Sequence, residues 1–158
     1  MSTKLHFLQH QYIDILKSIP ADEPARFGKM NVHQMIEHMS YAFRQASGLI
    51  PLAPANDEAT TQKMYTFMMS DKPFRDNTPN PYLPDEPATP EQDEISDSIQ
   101  ILQNDIEVFV DTFRDRDELR ILNPFFGNLN QAEWIHLLHK HAWHHLRQFQ
   151  WQGLILAR

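Results

Sequence analysis

Apolar residues recur every three to four positions through four long stretches of the chain and one short one, whereas no alternating pattern of comparable strength appears. This spacing places the apolar side chains of a stretch on one face of an α-helix. The pattern therefore predicts an all-α protein. The predicted helices cover about residues 3–19, 31–47, 58–69, 90–115 and 130–151.

Capping signals and prolines set the predicted helix boundaries. Asn31 and Asn130 each precede a Gln or Glu by three positions, which is the spacing of a capping box. Thr89 followed by Pro90 predicts the start of the third long helix, because proline is favoured at the first helical position. The first helix is expected to stop at Pro20.

A long connection separates the second and third long helices. Between Ser70 and Pro90 it contains six prolines, a density that excludes a helix or a central strand. Such a length is typical of a lid, a wrapped surface segment or disorder. We therefore expect a four-helix bundle with a long proline-rich crossover between helices 2 and 3, forming a single domain over residues 1–158.

A shorter connection, RILNPFFGNL, joins the third and fourth long helices. Asn123, Pro124 and Gly127 are turn-forming residues, so we predict a turn rather than regular structure here. Phe125 and Phe126 are expected to plug one end of the core.

Composition restricts the class of protein. With 41% hydrophobic and 22% charged residues in 158, the chain has the composition of an ordinary globular domain. No stretch predicts a membrane span or a signal peptide, so we expect a cytoplasmic protein without a membrane partner. A net charge of −7 argues against nucleic-acid binding. Because the chain has no cysteine, any metal must bind His, Asp, Glu or water.

Five of the nine histidines lie on the last predicted helix. His145 falls near the middle of its apolar face, His141 lies one turn earlier, and His144 lies toward the edge. Two imidazoles at i and i+4 reach one ion, which is why helical metal sites use H-x-x-x-H. The alternative is a pair of core histidines that hydrogen-bond to their neighbours.

The remaining histidines are weaker candidates. His38 lies on the flank of the apolar stripe of the second long helix, and by itself fits a hydrogen-bonded boundary residue better than a ligand. His33 is expected to face solvent. His6 and His10 are also spaced i and i+4, but they project from the polar side of the first helix, so we predict solvent-facing side chains. His136 and His139 point away from the middle of the last helix.

Two stretches, NPFFGNLNQAEWIHLLHKHAWHHLRQF and KMNVHQMIEHMSYAF, resemble the DinB/YfiT-like superfamily of metal-dependent four-helix-bundle proteins. The resemblance covers the bundle from the first helix to Phe149. In that superfamily three histidines commonly bind one divalent metal. The corresponding residues here are His38, His141 and His145. His144 and Gln148 also match family positions, and we expect them to surround the ligands.

The resemblance implies a site open to catalysis. Three neutral imidazoles leave a coordination position for water or substrate. Zinc and nickel are the expected metals, and the bound ion would activate a water or a thiol. The sequence does not choose a general base among Glu37, Glu133 and Asp105.

Several functions stay open. Relatives with known activity resemble thiol S-transferases that use low-molecular-weight thiols, or amide hydrolases, so a metal-dependent transferase or hydrolase with a small-molecule substrate is expected. Because dimers are frequent in the superfamily, a homodimer is also expected. The alternatives are a non-catalytic module that binds metal or a small ligand, and a structural dimeric bundle with a polar histidine core.

Overall fold

The computed structural model describes residues 2–149, which are mostly helical. Within that range the chain forms six helices and one small antiparallel sheet of two strands. The elements are α1 (Thr3–His10), α2 (Tyr12–Ser18), α3 (Val32–Ala46), α4 (Glu58–Met69), α5 (Ile95–Phe113), β1 (Ile121–Asn123), β2 (Gly127–Leu129) and α6 (Gln131–Gln148).

The helices enclose one core. Helix α3 packs mainly against α5, and α6 packs against both α1 and α3. The inner face of α6 is buried, including Trp134 and Leu138, and so is Phe149 directly after the helix. The largest fully buried side chains include Trp134, Tyr12, Phe43, Phe109 and Phe149. These contacts bring the inner faces of α3 and α6 together.

Both predicted capping boxes are present. The side chain of Asn31 accepts from the Gln34 amide, and that of Asn130 accepts from the Glu133 amide. The α4 bounds match the prediction. The first predicted helix, in contrast, is divided at Gln11, whose backbone (φ −121°, ψ −37°) separates α1 from α2. The predicted extension of the last helix over residues 150–151 lies outside the described residues.

The predicted start of α5 at Pro90 is wrong, because the helix begins five positions later at Ile95. The carboxylate of Glu37 on α3 accepts hydrogen bonds from the backbone amides of Glu91 (2.6 Å) and Gln92 (3.3 Å). It also accepts one from the Ser98 hydroxyl at 3.0 Å. These contacts hold residues 91–94 in an irregular conformation against α3.

No strand was predicted, yet the predicted turn lies within a β-hairpin. Strands β1 and β2 are only three residues each and pair Ile121 with Leu129. The Asn123 side-chain oxygen accepts from the amides of Phe125 (2.9 Å) and Phe126 (3.1 Å). Phe126 packs against the core as predicted, but both phenylalanines are only half-buried, and both line a cavity.

None of the helices within residues 2–149 has the length and apolar character needed to cross a membrane.

The Glu37 carboxylate links α3 to the start of α5, so its removal should destabilise the fold. We expect Glu37→Ala to lower the free energy of unfolding by roughly 1–3 kcal/mol, because three donors lose their acceptor. Urea unfolding followed by circular dichroism measures this. Glu107→Ala, at an exposed position on α5, is the matched control and should change stability little. Equal stability of the two variants would show that the link contributes nothing.

Candidate metal centre

Three histidines from two helices meet in the interior. His38 comes from α3, and His141 and His145 come from successive turns of α6. Nε2 of His141 lies 3.0 Å from Nε2 of His38 and 2.9 Å from Nε2 of His145. One ligand atom from each residue lies within 4.8 Å of the other two, so the group has the spacing needed to hold a metal ion. The structure thus brings together all three histidines that the sequence suggested.

Gln148 fixes the protonation of His145. Its side-chain NH₂ donates to the carbonyl oxygen of Phe27 at 2.9 Å, so its oxygen must face the other way. That oxygen lies 2.8 Å from Nδ1 of His145 and can only accept. The ring proton of a neutral His145 is therefore on Nδ1, and the Nε2 lone pair faces His141 and His38. This is the arrangement of a metal-ligating histidine held by a neighbouring acceptor.

Neutral imidazole rings cannot form hydrogen bonds at both short Nε2–Nε2 contacts of His141. Each neutral ring has one proton, and that of His145 is already on Nδ1. A single N–H on Nε2 of His141 would have to donate to both His38 and His145, while the Nε2 atoms of those two rings direct lone pairs at the same region. Buried polar groups without partners are costly. A shared cation provides a partner for all three lone pairs at once.

Burial keeps the three rings neutral. It lowers the pKa of His38 from 6.5 to about 4, with a smaller contribution from neighbouring His144. The pKa values of His141 and His145 are also well below 6.5, first because of burial and then because of the other histidines. His145 is buried, whereas His38 and His141 keep part of their surface on a cavity. At neutral pH all three offer lone pairs.

A cavity of about 350 Å³ opens onto the three histidines. This volume lies in the range of small-molecule sites. Its wall comes from α3, α6, the loop around Phe27, the hairpin and the crossover, which contributes Phe74, Arg75, Asn77, residues 78–80 and Leu83. The crossover is held in place by the Asn77 side-chain oxygen, which accepts from the Gly28 amide at 2.9 Å, and by the Tyr82 hydroxyl, which donates to the Ala53 carbonyl.

His144, expected beside the ligands, lies next to His145 with ring centroids 5.0 Å apart and lines the cavity. Its ring also contacts Phe27 at 5.1 Å. Its Nδ1 is buried and has no hydrogen-bond partner in the described part of the chain. Burial and the nearby Arg147 lower its pKa.

The other histidines serve different contacts. His6 and His10 are exposed, as predicted. His136 lies 2.8 Å from the Met68 carbonyl oxygen, and His139 accepts from the Trp143 indole at 3.2 Å. The expectation that His33 faces solvent is wrong, because its Nε2 lies 2.8 Å from the Ser98 hydroxyl and the side chain is only 14% exposed.

None of the three candidate bases lies on the cavity wall. Glu37 accepts from the segment before α5. Glu133 pairs with Arg120 at 3.2 Å and accepts from the Tyr65 hydroxyl. Asp105 pairs with Arg44 at 3.0 Å. Among residues 2–149, no Asp or Glu side chain lines the cavity.

Sequence reasoning missed the loop residues that complete the site. The Phe27 carbonyl orients the Gln148 side chain, and a Cβ on Gly28 would lie only 2.8 Å from the side-chain nitrogen Nε2 of Gln148. Gly28 also has a φ of +72°, which glycine adopts without strain. Phe27 followed by Gly28 was the only feature of the sequence that could have marked this loop. The pattern of apolar residues did not connect it to Gln148, which lies far along the chain.

Comparison of the chain with protein-family models, with curated proteins and with solved structures gives no match. The DinB/YfiT-like resemblance therefore depends on the two sequence stretches that carry it.

The lowered pKa of His38 predicts that metal-free protein loses stability in mild acid. Between pH 6.5 and about 4 the unfolded chain binds more protons than the folded one, so the free energy of unfolding falls as the pH falls. We expect urea unfolding of His38→Gln to show a shallower pH dependence than the wild type. His10→Gln removes an exposed histidine and should keep the full dependence. Identical slopes in all three proteins would contradict the buried neutral state of His38.

Proposed function

We propose that this chain is a metalloprotein whose divalent ion is held by His38, His141 and His145. The observation that carries the proposal is the convergence of three Nε2 atoms, with separations of 3.0 and 2.9 Å about His141. Buried neutral imidazoles, one of them oriented by Gln148, suit zinc or nickel.

We also propose the DinB/YfiT-like four-helix bundle for the fold. The α1–α2 pair, α3, α5 and α6 would be its four helices, with α4 and the crossover between the second and third. Support comes from the packing of α3 against α5 and α6, and from the position of the histidines on facing helices. Bundles build metal sites in this way, from inward side chains on facing helices.

The proposed activity is metal-dependent group transfer or hydrolysis on a small molecule. If His38, His141 and His145 hold a divalent ion, it would lower the pKa of a water or thiol and so supply a nucleophile near neutral pH. The chain's own residues hold the ion and enclose the substrate. The open side of the three histidines faces the cavity, so a substrate there would lie next to the ion.

A second candidate is a binding module without catalysis. The observation that favours it is the lack of carboxylates on the cavity wall within residues 2–149, since Asp and Glu are common general bases. Such a module would hold the same ion and a small ligand.

Metal analysis tests the ion directly. We expect the wild type to hold one zinc or nickel ion per chain, and His38→Ala, His141→Ala and His145→Ala to hold little, because each removes one of three ligands. Elemental analysis after dialysis measures this, with circular dichroism to check the fold. His10→Ala is the control and should keep its metal. Failure of the wild type to bind zinc, nickel or manganese would refute the metal centre.

Gln148 should tune affinity without being a ligand. We expect Gln148→Leu to weaken zinc binding by roughly 10–100-fold, because His145 loses the acceptor that fixes its tautomer. Competition with a chromophoric chelator gives the affinity. Gln45→Leu, on the cavity wall but without a hydrogen bond to the three histidines, is the control. An unchanged affinity in Gln148→Leu would show that the ligand needs no such support.

A further inference from the structure

We propose that the cavity selects anions with an apolar body, the anionic group lying at the three imidazoles and the body against the aromatic wall. The inference rests on the metal centre proposed above and specifies the ligand class of that site.

The first reason is charge. A divalent ion held by three neutral imidazoles keeps its full charge of +2, and no Asp or Glu side chain from residues 2–149 lines the cavity. In a site of low dielectric an uncompensated charge is costly, and a bound ion is often the largest local charge. A negatively charged ligand group supplies the compensation that the protein does not. A neutral ligand leaves that charge in place, and a cationic one adds to it.

The charges around the cavity have mostly the same sign. Lys29 and Arg75 line it, and the positive charge of Arg147 lowers the pKa values of His144 and His145. Lys29 is paired with Glu86, whose carboxylate lies 2.6 Å away. Exposed Asp76 raises the pKa of His144 but does not line the cavity. The protein therefore contributes little negative potential at the place where the ligand would bind.

The second reason is the wall itself. Phe74 contacts both His141 and His144 edge-on, with centroids 6.4 and 6.1 Å away, and stacks on Phe126 at 6.3 Å. Leu83 from the crossover and Leu137 from α6 line the same space. A small inorganic anion would leave this apolar surface uncovered. A ligand with a ring-sized apolar body would bury it and gain the corresponding hydrophobic free energy.

Four probes separate the charge from the body. Benzoate, benzyl alcohol and benzylamine share a ring but are anionic, neutral and cationic, whereas acetate has the anionic group without the ring. Each is titrated into cobalt(II)-loaded protein, and the visible absorption of the cobalt reports binding at the ion. We expect benzoate to bind at least about tenfold more tightly than each of the other three.

The outcomes distinguish the ligand class from the metal centre. If cobalt gives a spectrum but benzyl alcohol or benzylamine binds as tightly as benzoate, charge selection is wrong. If acetate matches benzoate, the apolar body is irrelevant, and the proposal is also wrong. If cobalt gives no spectrum with wild-type protein, the metal centre fails, and the ligand class falls with it.

A single added carboxylate provides an independent test. Gln45 lines the cavity from α3, two turns beyond His38, or about 10 Å along the helix axis. We expect Gln45→Glu to weaken benzoate binding by about tenfold while the protein still binds cobalt, because the new charge repels the anion. Gln103→Glu makes the same charge change at an exposed position on α5 and should leave benzoate binding unchanged. Equal effects of the two substitutions would overturn the proposal.

Discussion

The side-chain amide of Gln148 determines how the candidate metal centre is arranged. Because its NH₂ donates to the Phe27 carbonyl, its oxygen must receive the Nδ1 proton of His145, and the Nε2 lone pair of that ring must face the other two histidines. The backbone amide of Arg26 also donates to the backbone carbonyl oxygen of Gln148 at 2.8 Å. The loop before α3 and the end of α6 are thereby joined, and the ligand geometry depends on a loop that contributes no ligand.

The three imidazoles are neutral because they are buried next to one another. Three imidazoles packed together cannot all be charged, and burial already favours their neutral forms. A nearby carboxylate would stabilise an imidazolium. The three candidate bases, however, have other partners: Glu133 pairs with Arg120, Asp105 pairs with Arg44, and Glu37 accepts from the segment before α5. Their absence from the cavity wall preserves three lone pairs. It also means that an ion bound here would need a ligand to offset its charge.

The sequence predicted the helices and the pair His141 and His145 because both follow from local periodicity, whereas His38 was named only by the family resemblance. An apolar stripe fixes which side of a helix is inside, and the i, i+4 spacing fixes which two imidazoles share that side. Features set by distant partners were not predictable in this way. The start of α5 depends on Glu37, more than 50 positions earlier, and the burial of His33 depends on its contact with Ser98. The strands have only three residues each, which is too short to show an alternating pattern.

The wall of the cavity belongs to the same class of unpredicted features. Helices supply the imidazoles, whereas most of the aromatic surface facing them comes from Phe27, Phe74 and the hairpin phenylalanines, which lie in segments without periodicity. Loops tolerate substitution better than packed helix faces do. The ligand set therefore depends on the packing of α3 against α6, while the shape and charge of the space beside it depend on the crossover and the turn. A change in the crossover or the turn would alter the space beside the three nitrogens without changing the helices that carry them.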